Sequence, residues 1–168
     1  PNFFRRLFAE GAFSQAFVPV LMRYRGQGQA ALINFLAPLS GVFTLGLCIV
    51  VILGMVFADG LTYLFAPGFA DTPGRLQATA ELVVITFPYL GFISLTAYAA
   101  ALLNAHDRFA VPAITPVLLN LALIGAALVA IAGWSDRSQI ELLAWGVLVA
   151  GVVQFLFQIP SVARLGLL

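Results

Sequence analysis

The sequence predicts an all-α fold, a polytopic bundle of membrane-spanning helices, on three observations. Hydrophobic residues make up 62% of the 168 residues and charged residues only 9%, whereas a soluble domain carries roughly 25% charge. Mean hydropathy is correspondingly high, at +1.04. Four uncharged runs, 26–58, 82–105, 109–135 and 142–163, each reach the roughly 20 apolar residues that cross a bilayer. Finally, none of the arginines lies in these runs, and Arg23, Arg25, Arg75, Arg108 and Arg137 sit in the short connections between spans.

The elements follow in order. Residues 11–22 are uncharged but too short to span alone, and they follow PNFFRRLFAE, which carries Arg5, Arg6 and Glu10. Such a stretch fits either an amphipathic surface helix or a spanning helix whose charges face a cavity; we expect a helix near 2–23. The basic, Gly-rich MRYRGQGQ leads into a helix near 28–57. Within ADGLTYLFAPGFADTPGR a short helical turn fits near 59–65, and the Pro-Gly and Asp-Thr-Pro-Gly steps mark turns. Asp71 or Thr72 is expected to cap the next helix, near 76–104, with Pro73 at its first position. NAHDRFAVP leads to a helix near 112–132, and GWSDRSQIE to the last, near 139–165, with Ser135 or Asp136 as its cap. Pro38, Pro88 and Pro116 are the expected kink points. Residues 1–168 are expected to form a single bundle. Pro1 in place of Met, and residues 165–168 without a polar tail, lead us to expect a piece of a longer chain, cut at both ends. No signal-peptide pattern is present.

Charge sets orientation and excludes function classes. Arg23, Arg25, Arg108 and Arg164 fall at one end of the helices if every run spans, and Arg75 and Arg137 at the other. The four-to-two excess places the first end in the cytoplasm. A net charge of +1 gives no reason to expect nucleic acid as a partner. The single histidine lies in His106-Asp107-Arg108, which reads as a solvated turn with no nucleophile or second histidine beside it. Cys48 sits in an apolar run with no disulfide partner and no metal-ligand spacing. No Gly-rich phosphate loop occurs. We therefore expect no catalytic residue, no cofactor and no metal. Asn34, Asn120, Gln154 and Gln158 lie in or near the spans, where interhelical hydrogen bonds are their expected role and lining of a transport path is the alternative.

The most informative residues are Arg5, Arg6 and Glu10. On a helix, Asn2, Arg6, Glu10 and Ser14 step by four and share a stripe, so Arg6 and Glu10 are able to pair. Arg5 lies about 100° round from Arg6, with donors aimed elsewhere. A charge inside a membrane helix costs about 2.5–3.5 kcal/mol on insertion scales and usually faces a wet interior. Arg is suited to bidentate contact with phosphate. A snorkelling, interfacial arginine is the other reading of the same residues.

PNFFRRLFAEGAFSQAFVPVL resembles the signature of the MurJ (MviN) family, the lipid II flippases of bacterial peptidoglycan synthesis. APGFADT at 66–72, ITFPYLGFISL at 85–95, LLNAHDRFAVPAITPVLLN at 102–120 and QFLFQIP at 154–160 resemble later segments of that family, in order. The resemblance implies part of the N-terminal lobe of a MOP/MATE-like transporter of fourteen helices, from the second half of helix two through helix six. It implies a bacterial inner (cytoplasmic) membrane location. It also implies alternating access, with lipid II, surrounding membrane lipid and the remaining helices of the same protein as partners. Arg5 matches a cavity arginine held to bind the lipid II diphosphate; Arg6 and Glu10 match the residues beside it. The alternatives are another exporter of the superfamily, for a polysaccharide precursor or as a drug/cation antiporter, and a non-transporting membrane scaffold. An antiporter would be expected to carry acids in its cavity, and the spans as read here contain Glu10 alone.

Overall fold

The structure is a computed structural model, and it describes residues 12–69, 74–133 and 138–166. The described residues form six α-helices: α1 (Ala12–Arg25), α2 (Gln29–Val56), α3 (Ala58–Phe65), α4 (Arg75–Ala105), α5 (Ala110–Ala132) and α6 (Gln139–Ala163). A single 3-10 turn, Pro67–Phe69, follows α3. Helices α2, α4, α5 and α6 are long and apolar enough to cross a membrane. Residues 2–11 of the expected first helix lie outside the described residues.

Local chemistry sets the boundaries. Helix α5 starts at Ala110, two residues before the expected position, and takes Pro112 into its first turn. That is tolerated because the first N–H groups of a helix have no intrahelical partner to lose. The expected cap of the last helix needs correction: neither Ser135 nor Asp136 begins it. Ser138 is the N-cap, its hydroxyl accepting from the Glu141 N–H while the Glu141 carboxylate accepts from the Ser138 N–H, both at 3.2 Å. Ser138 alone of the three has a carboxylate three residues on, and that reciprocal box fixes the start. Helix α6 ends at Ala163 and not at 165, because Gly166 turns the chain at φ 67, a conformation that suits glycine. Asp71, Thr72 and Pro73 lie outside the described residues. Helix α4 begins at Arg75 behind Gly74, whose φ of 77 is left-handed. Its 31 residues span about 46 Å, more than the roughly 30 Å hydrocarbon core. Glu81, in its second turn and exposed, therefore lies towards the interfacial layer.

Helix α4 is the centre of the bundle, packing against α6, α2, α3 and α1, while α5 packs chiefly on α6. A cluster of Leu21, Leu32, Leu36, Tyr98, Leu102 and Val162 joins α1, α2, α4 and α6. The Tyr98 ring lies 5.3 Å from Phe17 and 5.5 Å from Phe43. Elsewhere small residues bring backbones together, as expected where lipid gives no hydrophobic drive between helices and van der Waals contact must hold them. A Cβ on Gly146 would stand 2.7 Å from the Ala126 Cβ, and one on Gly151 would stand 2.7 Å from Tyr89 Cδ2. Thr86, Ser94 and Thr96 turn their hydroxyls back onto the carbonyls of Leu82, Leu90 and Phe92 at 2.7–2.8 Å, so α4 exposes few unmet donors to hydrocarbon. Large apolar side chains cover the outer faces, Val42 at 70% and Ile131 at 79% exposure among them.

Candidate functional site

Arg5, Arg6 and Glu10 lie outside the described residues, so the site is built here from what surrounds the helix ends and inter-helix spaces. Three features stand out: a basic end, a buried polar cluster, and a cleft between helices.

At the basic end, three chain segments converge. Helix α1 ends at Arg25, and its guanidinium Nη1 donates to the backbone oxygen of Ala105 at the end of α4, 80 residues away in sequence. An arginine is well suited to the last carbonyls of a helix, which carry the negative end of its dipole. The turn from α4 to α5 is closed by Arg108 N–H to Leu103 O at 2.9 Å and Asp107 N–H to Asn104 O at 3.1 Å. Asp107 takes the left-handed φ of 58, which Asp tolerates better than most residues. His106 Nδ1 lies 2.8 Å from Leu102 O, so that nitrogen is the donor and Nε2 remains. The histidine thus belongs to a turn, as its sequence context suggested. Arg25, Gln29 and His106 line a recess of about 300 Å³, floored by Leu32 and Leu165. The contact of Arg25 with Ala105 was not visible in the sequence, since nothing local to either residue points to the other.

The polar cluster joins α5 to α6. Gln154 Nε2 donates to Thr115 O at 2.8 Å, and Gln158 Nε2 donates to Thr115 Oγ1 at 2.9 Å. Thr115 Oγ1 donates in turn to Val111 O at 3.1 Å. Gln154 and Gln158 are one helical turn apart on α6, so both reach one partner. Their expected interhelical role is what the geometry shows; Thr115 was the partner that sequence reasoning missed. Asn34 and Asn120, by contrast, are exposed on α2 and α5. Thr115→Val should destabilise the fold more than Gln158→Leu. The first leaves the buried Gln158 amide without its acceptor, costing about 1–3 kcal/mol. The second removes one bond together with an Oε1 that has no hydrogen-bond partner, costing near the membrane-protein average of about 0.6 kcal/mol. Denaturant unfolding of the two full-length variants in detergent gives the order; the reverse order would contradict it.

The third feature is a cleft of about 510 Å³ between α2, α4 and α6, with Ile33, Ala37, Leu95, Leu102 and Ile159 among its walls. No group of three or more His, Cys, Asp or Glu able to hold a metal occurs among the described residues. Cys48 is exposed on α2.

A family model described as lipid II flippase MurJ matches residues 1–168. A probable lipid II flippase MurJ from Haemophilus influenzae is 43% identical over 176 residues, covering 100% of this chain and 34% of that protein. The lipid II flippase MurJ of Burkholderia cenocepacia is 38% identical over 165 residues, covering 98% of this chain and 32% of that protein. A solved structure of a lipid II flippase MurJ in an inward closed conformation superposes with a TM-score of 0.79 at 29% identity, covering 98% of this chain and 33% of that one. The chain therefore spans about a third of the length of these relatives.

Proposed function

Because the chain belongs to the MurJ family, we propose that it supplies part of the N-terminal lobe of a transporter that carries lipid II across the bacterial inner membrane by alternating access. It is a multi-pass membrane protein, with four helices able to span. The observation that carries the functional reading is that the family match covers residues 1–168, the whole of the chain. The process is movement and not bond chemistry: diphosphate and sugars pass through a wet interior while the polyprenyl tail stays in lipid. Arg5 supplies the bidentate contact to the diphosphate, with Arg6 held nearby by Glu10. Two arginines and one acid in that stretch favour an anionic cargo over a cationic drug. The full-length protein should restore growth to a bacterium depleted of its own lipid II flippase. Failure at normal membrane abundance would count against the reading.

The basic end is assigned to the cytoplasm. Convergence of Arg25, His106 and Leu165 on one recess supports the alternation of spans on which the arginine tally depends. Single-cysteine labelling of the full-length protein in a Cys48→Ala background checks it. Ala70→Cys should react with an impermeant maleimide in intact cells, and Gln27→Cys only after the membrane is opened. The opposite pattern would invert the topology.

A further inference from the structure

The recess at the basic end and the cleft below it are neighbours. Leu32 and Leu165 floor the recess, while Ile33 and Gly166, the next residues in the chain, line the cleft. A Cβ on Gly166 would come within 3.3 Å of Gln29 Nε2, a group of the recess. We infer that the two form one binding site for an anionic glycerophospholipid of the leaflet at the basic end, with the phosphate in the recess and an acyl chain in the cleft.

Three arguments support this. The cleft runs along α2 from Ile33 to Thr44, eleven residues or about 16 Å, which is close to half of the roughly 30 Å hydrocarbon core. It thus occupies one leaflet and stops near the bilayer middle. Its walls are mostly apolar, and Ser40, one of the few hydroxyls there, donates to its own helix at Ala37 O. A space of that character at that depth takes hydrocarbon and not water. The recess supplies charge complementarity. The Arg25 guanidinium spends one N–H on Ala105 O and keeps further donors in its planar fork, suited to a phosphodiester. Gln29 adds the two N–H donors of its amide. Among the described residues at this end, Arg23, Arg25, Arg108 and Arg164 face one acid, Asp107.

This site is separate from the cargo contact proposed for Arg5. It rests on the membrane topology and not on transport, so its test does not depend on flipping. The full-length protein, purified in mild detergent, is titrated with phosphatidylglycerol or phosphatidylcholine, and bound lipid is counted by native mass spectrometry. Phosphatidylglycerol should bind at least about tenfold more tightly than phosphatidylcholine. Arg25→Gln should lower that affinity about tenfold, the effect of losing a charge-assisted hydrogen bond. Ala37→Trp, at an exposed cleft wall, should lower binding of both lipids. Should Arg25→Gln fail to fold, Gln29→Ala leaves the contact of Arg25 with Ala105 in place and should weaken phosphatidylglycerol binding severalfold. Equal binding of the two lipids, or unchanged phosphatidylglycerol binding in all folded variants, would overturn the site. Displacement of phosphatidylglycerol by millimolar inorganic phosphate would make it a free-phosphate site and overturn the lipid assignment. Preferential displacement by lipid II would make it a cargo site and overturn it likewise.

Discussion

Gly146→Leu in the full-length protein is expected to abolish the folded state, whereas Gly146→Ala should only weaken it. Gly146 lies where α6 crosses α5. Its missing Cβ would stand 2.7 Å from the Ala126 Cβ and 3.6 Å from Ala122 O. Neither neighbour is able to swing away, because a methyl on Cα and a carbonyl move only with their backbone. An added methyl therefore forces the helices apart by tenths of an ångström, at a cost of about 1–3 kcal/mol for overpacking. An isobutyl group requires a far larger separation. That separation would also stretch the bonds from Gln154 and Gln158 to Thr115, now 2.8 and 2.9 Å, and strand their amides in an apolar interior. Membrane abundance and detergent unfolding give the answer. Wild-type stability in the leucine variant would mean that α5 and α6 do not approach as described.

Arg5→Ala should reduce lipid II translocation more than about thirtyfold. The two charge-assisted hydrogen bonds of a bidentate contact are worth about 1.5–3 kcal/mol each, so their joint loss costs more than about 2 kcal/mol. Insertion should not suffer, because removing an intramembrane charge eases it. Arg5→Lys should recover part of the activity, since it keeps the charge and loses the fork. Glu10→Ala should be milder, for the role proposed for Glu10 is to hold Arg6 and not to touch the cargo. Complementation of a depleted strain, with membrane abundance measured in parallel, separates these outcomes. Normal growth on Arg5→Ala would leave a snorkelling arginine and no cargo contact.

The spans were legible because a membrane demands long uncharged runs, and nothing else in the chain resembles them. The shared end of Arg25, Arg108 and Arg164 was legible for the same reason: consecutive spans alternate. What the sequence did not reveal is which face meets which neighbour. Helices α2 and α5 are apolar apart from scattered single residues such as Asn34 and Asn120, so no polar stripe marks an outside, and the contacts between Gly146 and Ala126 or Arg25 and Ala105 leave no periodic trace. The cap of α6 was misplaced although Ser138 and Glu141 carry the three-residue spacing of a capping box. Ser135 and Asp136 are equally good capping residues by type, and only the Glu141 carboxylate distinguishes Ser138. Asn120 was expected to bond between helices, yet it is exposed on α5.

The central claim is that this chain is part of a protein that moves lipid II to the outer face of the inner membrane. The most direct measurement depletes the resident flippase of a bacterium and expresses the full-length protein. The lipid II accessible to an impermeant outer-face probe is then quantified against the total. Restoration of the exposed fraction, and its loss again with Arg5→Ala at equal membrane abundance, is the expected result. An exposed fraction that stays at the depleted level while the protein is present in the membrane would contradict it.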